Sequence, residues 1–239
     1  PLGRARRVPG GYRVSGRWPF TSGVDNATVR LGGAMVTEAA SEGRGATPEL
    51  RSFLFSPEDT VVLDTWRTAG LRGTGSHDMV VEDEFVPEGR TTCVLTDRPW
   101  AEGPLYRFSL FGLLALGVGA VGLGIARAAL DEVKRLAGDK RQGRRALAET
   151  ERAQIRIAAA EGQLRAARAF VRTAIDVTWG APQVTPEQKA ELRLAATHAA
   201  SVAASVVDAA YHLGGGAAIY DASPLQRCFR DVHTLTQHV

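Results

Sequence analysis

The apolar positions of this chain follow two rhythms, and the change falls near residue 105. Before it, short runs rich in β-branched and aromatic residues occur at 10–18, 29–36, 50–55, 60–64 and 79–86. Clusters of Gly, Pro, Ser and Asp separate them, so they predict short β-strands. No helical periodicity intervenes, and strands at this spacing predict an antiparallel barrel or sandwich. Residues 38–48 read as a polar, Gly-containing loop between two strands. Residues 64–77 differ in character: Gly70, Gly73 and Gly75 alternate with Arg72, Thr74 and Ser76. No Lys follows and the next segment is a strand, so this is a compact turn-rich connection rather than a phosphate loop, with Arg72 and Ser76 expected to be structural.

After Pro104 the rhythm becomes helical. Residues 108–130 are almost wholly apolar, with Ser109 and Arg127 the only strongly polar side chains. That length meets the criterion for a membrane span. Five glycines lie between Gly112 and Gly124, yet none has the Gly-x-x-x-Gly spacing of membrane packing, and no aromatic and basic belt marks both ends. A buried helix of a bundle is therefore expected, with no membrane. Residues 147–179 and 186–213 are Ala-rich and amphipathic, and Thr185 followed by Pro186 is a helix start. The predicted architecture is α+β: an antiparallel β domain over 1–105, then a four-helix-bundle domain over 106–239.

Composition adds limits. The 239 residues are 44% hydrophobic, enough for a substantial core. The net charge of +3 is mild, but locally Lys134, Arg135, Lys140, Arg141, Arg144 and Arg145 face only Asp139. No aromatic residue is interleaved to stack bases, so nucleic acid is not an expected partner. Two cysteines, Cys93 and Cys228, provide neither a disulfide framework nor a metal-ligand spacing, which suits a reducing cytoplasm. No secretory leader pattern is visible at the start.

Two stretches carry candidate chemistry. Gly214, Gly215 and Gly216 follow a long helical run and allow close approach to the backbone. Ser223 and Pro224 then start a short helix that carries Arg227, Arg230, Asp231, His233 and His238. The second stretch is 17–23, where Trp18 and Phe20 offer flat apolar surface and Thr21 and Ser22 offer hydroxyls beside Pro19 and Gly23. Such a corner suits a ring system with a polar edge, or else it is an aromatic corner of the barrel. His198 and His212 share one face of a helix without a metal-ligating neighbour, so they read as packed or partly exposed.

The Gly-Gly-Gly at 214–216, with Arg227, Arg230 and Asp231, resembles the C-terminal cofactor loop of the acyl-CoA dehydrogenase superfamily. The continuation from Arg230 to His238 resembles its two-component, reduced-flavin-dependent monooxygenase branch. The Glu-Gly-Thr usual in the dehydrogenases is absent. The resemblance implies middle and C-terminal domains of that fold, with a helical domain expected before residue 1. It implies FMN or FAD, supplied reduced by a separate flavin reductase, and O2 as co-substrate. One oxygen atom would pass to a small phenolic or heteroaromatic substrate. Trp18, Phe20, Thr21, Ser22, Gly214, Gly215, Gly216, Arg227 and Arg230 would hold the cofactor, with Thr21 or Ser22 near its reactive edge.

By the same resemblance His238 would be the active-site imidazole and, with Thr21 and Ser22, catalytic. His233, about 140° away on the same helix, would face elsewhere. Arg141, Arg144, Arg145 and Gln154 fall where relatives reach a neighbour's cofactor, and a cytoplasmic homotetramer is implied. Two alternatives stay open: an acyl-CoA dehydrogenase or nitroalkane-oxidase-like flavoprotein, and a catalytically silent fragment that serves oligomerisation.

Overall fold

The computed structural model describes residues 3–37, 49–94 and 96–238, with Gln142 described in its backbone alone. The loop expected at 38–48 lies outside the described residues. The chain divides into two compact units: Pro1–Thr68 with Arg72–Trp100, and Ala69–Leu71 with Ala101–Val239.

The first unit is built on one seven-stranded sheet. Its strands are β1 (Gly3–Val8), β2 (Gly11–Trp18), β3 (Arg30–Thr37), β4 (Glu49–Phe55), β5 (Val61–Leu63), β6 (Asp78–Pro87) and β7 (Thr91–Thr92). Their order is β5-β6-β2-β1-β3-β4-β7. The expected antiparallel pairing holds except between β1 and β3, which run parallel. The reason is topological: β1 and β2 form a hairpin, and the connection after β2 brings the chain back to the far edge of β1. Side chains alternate as a half-buried sheet requires, with Tyr12 and Val14 buried and Arg13 and Ser15 exposed.

Trp18 is the largest side chain of this core and is 8% exposed. A Cβ placed on Gly3, Gly16 or Gly32 would come within 2.5, 2.8 and 2.8 Å of its indole ring, so these glycines make its slot. Its Nε1–H donates to the carbonyl of Gly33 at 2.8 Å, which satisfies the ring's one polar group. Burying an indole of ~200 Å² contributes about 5 kcal/mol as an upper figure.

The second unit contains α1 (Pro104–Arg107), α2 (Leu110–Asp139), α3 (Glu151–Trp179), α4 (Pro186–Gly214) and α5 (Pro224–Leu235). Helix α4 packs against α2, α3 and α5, so three long helices and one short one form the bundle. The Thr185 hydroxyl accepts from the Gln188 N–H at 3.2 Å and the Gln188 side chain accepts from the Thr185 N–H at 2.9 Å, a reciprocal cap that fixes where α4 begins. Helix α2 runs well past Leu130, where the apolar pattern stops. Pairs of Arg127 with Asp131 at 3.0 Å, and of Arg135 with Glu132 at 2.7 Å and Asp139 at 3.2 Å, support the polar continuation.

Small residues let α2 approach α4 closely: a Cβ on Gly119 would stand 3.2 Å from the Ala196 carbonyl oxygen, and one on Gly122 3.4 Å from Ala203 Cβ. Only that face is buried. Phe111, Leu114 and Val121 are 60%, 58% and 52% exposed, so the expected buried helix is buried on one side. By length and composition α2 is long and apolar enough to cross a membrane, and 39% of its most apolar window is buried. Between α2 and α3 the chain makes a small hairpin, β8 (Arg141–Gln142) with β9 (Arg145–Ala146), turned by Gly143 at φ 64°.

Candidate functional site

In the β unit, the corner after β2 is laced to the turn before β6. The Thr21 N–H donates to the His77 carbonyl at 3.1 Å and the Gly23 N–H to the Thr74 carbonyl at 2.7 Å. His77 Nδ1 accepts from the N–H groups of Thr65 and Trp66, both at 3.1 Å, which ties the turn to the segment after β5. Arg17 bonds Asp78 at 2.7 Å and, with the Thr65 hydroxyl, holds that carboxyl below its ordinary range.

On this frame the hydroxyls part company. Thr21 Oγ1 donates to the Trp18 carbonyl at 3.0 Å, closing the corner on itself. Ser22 is exposed, and its Oγ lies 2.8 Å from Ser76 Oγ, which is in turn 2.7 Å from Thr74 Oγ1. Ser76 is 5% exposed, so the ladder runs from a buried hydroxyl to an open one. Phe20, at φ 60° and 73% exposed, meets Trp66 edge to face at 6.2 Å between ring centroids. A Cβ on Gly23 or Gly73 would meet nothing within 4 Å, so the backbone there is open to approach.

Trp18 corrects an expectation. Its ring belongs to the sheet core, where three glycines and Phe55 surround it, and it offers no surface to a ligand. The open aromatic of the corner is Phe20.

In the helical unit, Gly214 is the buried last residue of α4, Gly215 turns the chain at φ 55°, and Gly215–Ala218 forms one tight helical turn. Lys140 Nζ donates to the Gly214 carbonyl at 2.9 Å, satisfying one of the orphan acceptors at the end of α4. A Cβ on Gly216 would meet nothing within 4 Å. Helix α5 begins at Pro224, although the Ser223 hydroxyl makes no capping bond.

Arg230 and Asp231 are structural here. Arg230 Nη1 donates to the Ala69 carbonyl at 3.0 Å and its Nε to Gln226 at 3.0 Å, while Asp231 Oδ1 accepts from the Leu71 N–H at 2.7 Å. Two of the five guanidinium N–H donors of Arg230 are thus engaged within the helical unit, one of them by the docked segment Ala69–Leu71. Arg227, exposed on the first turn, makes no side-chain hydrogen bond or ion pair among the described residues.

The histidines are also rearranged. Helix α5 stops at Leu235, so His238 stands beyond it, exposed, with its N–H bonded to the Leu235 carbonyl at 2.9 Å. The expected helical angle between His233 and His238 therefore does not apply. His233 Nε2 lies 2.8 Å from Asp208 Oδ1 of α4, and its ring packs on Phe229 at 4.5 Å. Arg141, Arg144 and Arg145 are exposed, and Gln154 donates to the Ala148 carbonyl at 3.1 Å. Burial raises both thiols, so neither Cys93 nor Cys228 is a reactive thiolate, and the described residues contain no metal-ligating cluster.

The β-unit corner fits the polar edge of a flavin: an open aromatic, a backbone free of Cβ obstruction at two glycines, and one exposed hydroxyl seated on a buried one. Residues 116–239 match the C-terminal domain of acyl-CoA dehydrogenases. The chain belongs to the acyl-CoA dehydrogenase family. It is 39% identical over 246 residues to the indole-3-acetate monooxygenase of Pseudomonas putida, covering 100% of this chain and 61% of the relative. It is 31% identical over 258 residues to the flavin-dependent monooxygenase oxygenase subunit HsaA of Rhodococcus jostii, covering 100% of this chain and 65% of the relative. Among solved structures it resembles XiaF from Streptomyces sp. in complex with FADH2 and glycerol, with a TM-score of 0.88, 27% identity, and coverage of 100% of this chain and 63% of that one. The chain thus spans about three fifths of the length of the relatives it matches.

Sequence reasoning missed Ser76, Thr74 and Lys140 as contributors. The Thr-x-Ser spacing is visible in a turn where Ser76 is expected to be structural, and nothing in the charge run 134–145 marks Lys140 as the residue that reaches the Gly214 carbonyl.

Proposed function

We propose that this chain is the middle and C-terminal part of a flavin-dependent monooxygenase that hydroxylates a small phenolic or heteroaromatic substrate. The match along the whole chain to indole-3-acetate monooxygenase carries the proposal. When bound, a reduced flavin received from a separate reductase activates O2 for transfer of one oxygen atom to the substrate. The FADH2 of the XiaF structure and the flavin dependence named for HsaA support that choice of cofactor. An acyl-CoA dehydrogenase is the second reading, favoured by the domain match at 116–239 and disfavoured by the likeness of the whole chain to named monooxygenases.

The residues of this chain have separate tasks. Phe20 packs against the ring of the flavin, and Ser22 hydrogen-bonds its polar edge. Thr21 keeps the corner folded through the Trp18 carbonyl. Arg227 contacts a flavin phosphate, since a free guanidinium makes bidentate charge-assisted bonds to phosphate. The turn at Gly215 and Gly216 lets a ligand come close to the backbone. His238 moves a proton to or from the substrate, a task suited to imidazole near neutral pH.

The exposed stripe of Phe111, Leu114 and Val121 is a face for other copies of the chain to cover and supports assembly, for which a homotetramer is our reading; a stable monomer in sedimentation at micromolar concentration contradicts it. Anaerobic titration of the full-length protein tests the cofactor assignment: reduced flavin is expected to bind more tightly than oxidised, and Arg227→Ala to weaken it at least about fivefold. An Arg227→Ala affinity within about twofold of the parent removes this residue from the site.

A further inference from the structure

The ladder of hydroxyls behind Ser22 has a property that a single exposed serine lacks. Ser22 and Ser76 are 2.8 Å apart and Ser76 and Thr74 2.7 Å apart, and in each pair either oxygen can be the donor. Each hydroxyl has one proton and two lone pairs. If Ser22 donates inward to Ser76, its outward side presents only lone pairs and accepts. If Ser76 donates outward to Ser22, the Ser22 proton is left to point away from the protein and donate. Burial of Ser76 keeps water from competing for the inner rung, which leaves the direction of the bonds to the hydroxyls themselves.

We propose that Ser76 is a positioning residue that anchors the Ser22 hydroxyl from behind and lets it act as donor or acceptor, so that one side chain hydrogen-bonds a flavin edge nitrogen both with and without its proton. The proposal depends on Ser22 meeting the flavin, as set out under Proposed function. The nitrogen at the redox-active edge of a flavin carries a proton in the reduced state and none in the oxidised state. A fixed donor or a fixed acceptor would serve one state only. The ladder serves both by reversing two hydrogen bonds, with no heavy atom moved and no net proton transferred.

The test is a double-mutant cycle read by binding rather than turnover. Equilibrium dialysis of the full-length protein, anaerobic and with FAD and FMN each oxidised or dithionite-reduced, reads weak as well as tight affinities. It is applied to the parent, Ser22→Ala, Ser76→Ala and the double variant. Loss of one hydrogen bond's worth of positioning predicts that Ser76→Ala weakens both redox states by a similar factor, about three- to tenfold. In the Ser22→Ala background the same change is expected to move affinity by less than about twofold, because the residue acts through Ser22.

Independent effects, with Ser76→Ala equally damaging in both backgrounds, overturn the proposal and make Ser76 a support of the turn alone. An effect confined to one redox state overturns the two-way role. If Ser22→Ala itself leaves both affinities unchanged, the flavin is not at this corner, and the functional assignment of the corner fails together with the proposal. Ser76→Cys, near in size and a weak hydrogen-bonder, runs through the same cycle with the same criteria should Ser76→Ala fail to fold.

Discussion

Asp231→Ala separates a structural role for the Arg-Asp pair of α5 from a cofactor role. Asp231 Oδ1 accepts from the Leu71 N–H at 2.7 Å, a short charge-assisted bond, and Arg230 holds the neighbouring Ala69 carbonyl at 3.0 Å. Leu71 sits at φ 51°, a conformation that costs an L-residue about 1 kcal/mol and persists only while its surroundings hold it. A hydrogen bond to a charged group contributes about 1.5–3 kcal/mol. Both partners are half-buried, so water recovers part of the loss and about 1.5–2 kcal/mol remains. That is an increase of about 10- to 30-fold in the opening of Ala69–Leu71.

Hydrogen exchange of the amides in this segment measures it directly, with the buried turns of α4 as the internal reference. Asp231→Asn keeps an acceptor and is expected to fall between the parent and Asp231→Ala. Gly70→Ala is expected to be worse than either, because its Cβ would lie 2.1 Å from the Arg230 carbonyl oxygen and backbone against backbone cannot rotate away. Exchange in Asp231→Ala within about twofold of the parent would refute the structural assignment of this pair.

Glu161 offers a pH signature. Lys134, Arg165 and Arg127 bond its carboxylate and hold it at about 2 against an ordinary 4.5. The folded value is depressed, so the stabilisation is present above 4.5 and is lost as pH falls from 4.5 towards 2. The shift sets a ceiling of about 3.4 kcal/mol, and the exposure of the three cations reduces it to about 1–2 kcal/mol. Glu161→Gln should lose that much in urea unfolding at pH 7 and flatten the profile below pH 5, whereas parallel profiles for parent and variant would count against it. For the histidines, His238→Ala should lower hydroxylation by about 100-fold or more while flavin affinity survives. His233→Ala should lose about 1 kcal/mol of stability with the Asp208 bond and keep its turnover; a silent His238→Ala with a damaged His233→Ala would reverse the roles.

Much of the fold was legible because burial imposes a period. Strands β2, β3, β4 and β6 announce themselves through Tyr12, Val14, Val36, Phe53, Met79 and Val81, and the ends of α4 through Thr185 and the glycines after Leu213. Strand β1 was missed because only Gly3 and Ala5 face inward, too little apolar content to mark a strand among Arg4, Arg6 and Arg7. The far half of α2 was missed because its support is ionic, through Arg135 and its two carboxylate partners, rather than apolar.

The site was less legible for a different reason. Sequence places Trp18, Thr21 and Ser22 within one corner but does not say that three distant glycines draw the indole into the core. Nor does it say that Thr21 bonds back to the corner while Ser22 leans on Ser76, since Ser22 and Ser76 are 54 positions apart. The α5 residues share this limit: the segment that engages Arg230 and Asp231 lies far away in the chain, and helical angles cease to apply where α5 ends before His238.

Isotopic oxygen tests the proposed function most directly. Full-length protein would be supplied with reduced FAD or FMN by an unrelated NADH-dependent flavin reductase, under 18O2, with a panel of phenolic and heteroaromatic probes. Mass spectrometry of the products is expected to find one 18O atom in a hydroxylated probe, with the label absent when flavin or protein is omitted. Oxidation of the reduced flavin at the rate seen without protein, with all the oxygen recovered as hydrogen peroxide and no labelled product from any probe, would contradict a monooxygenase.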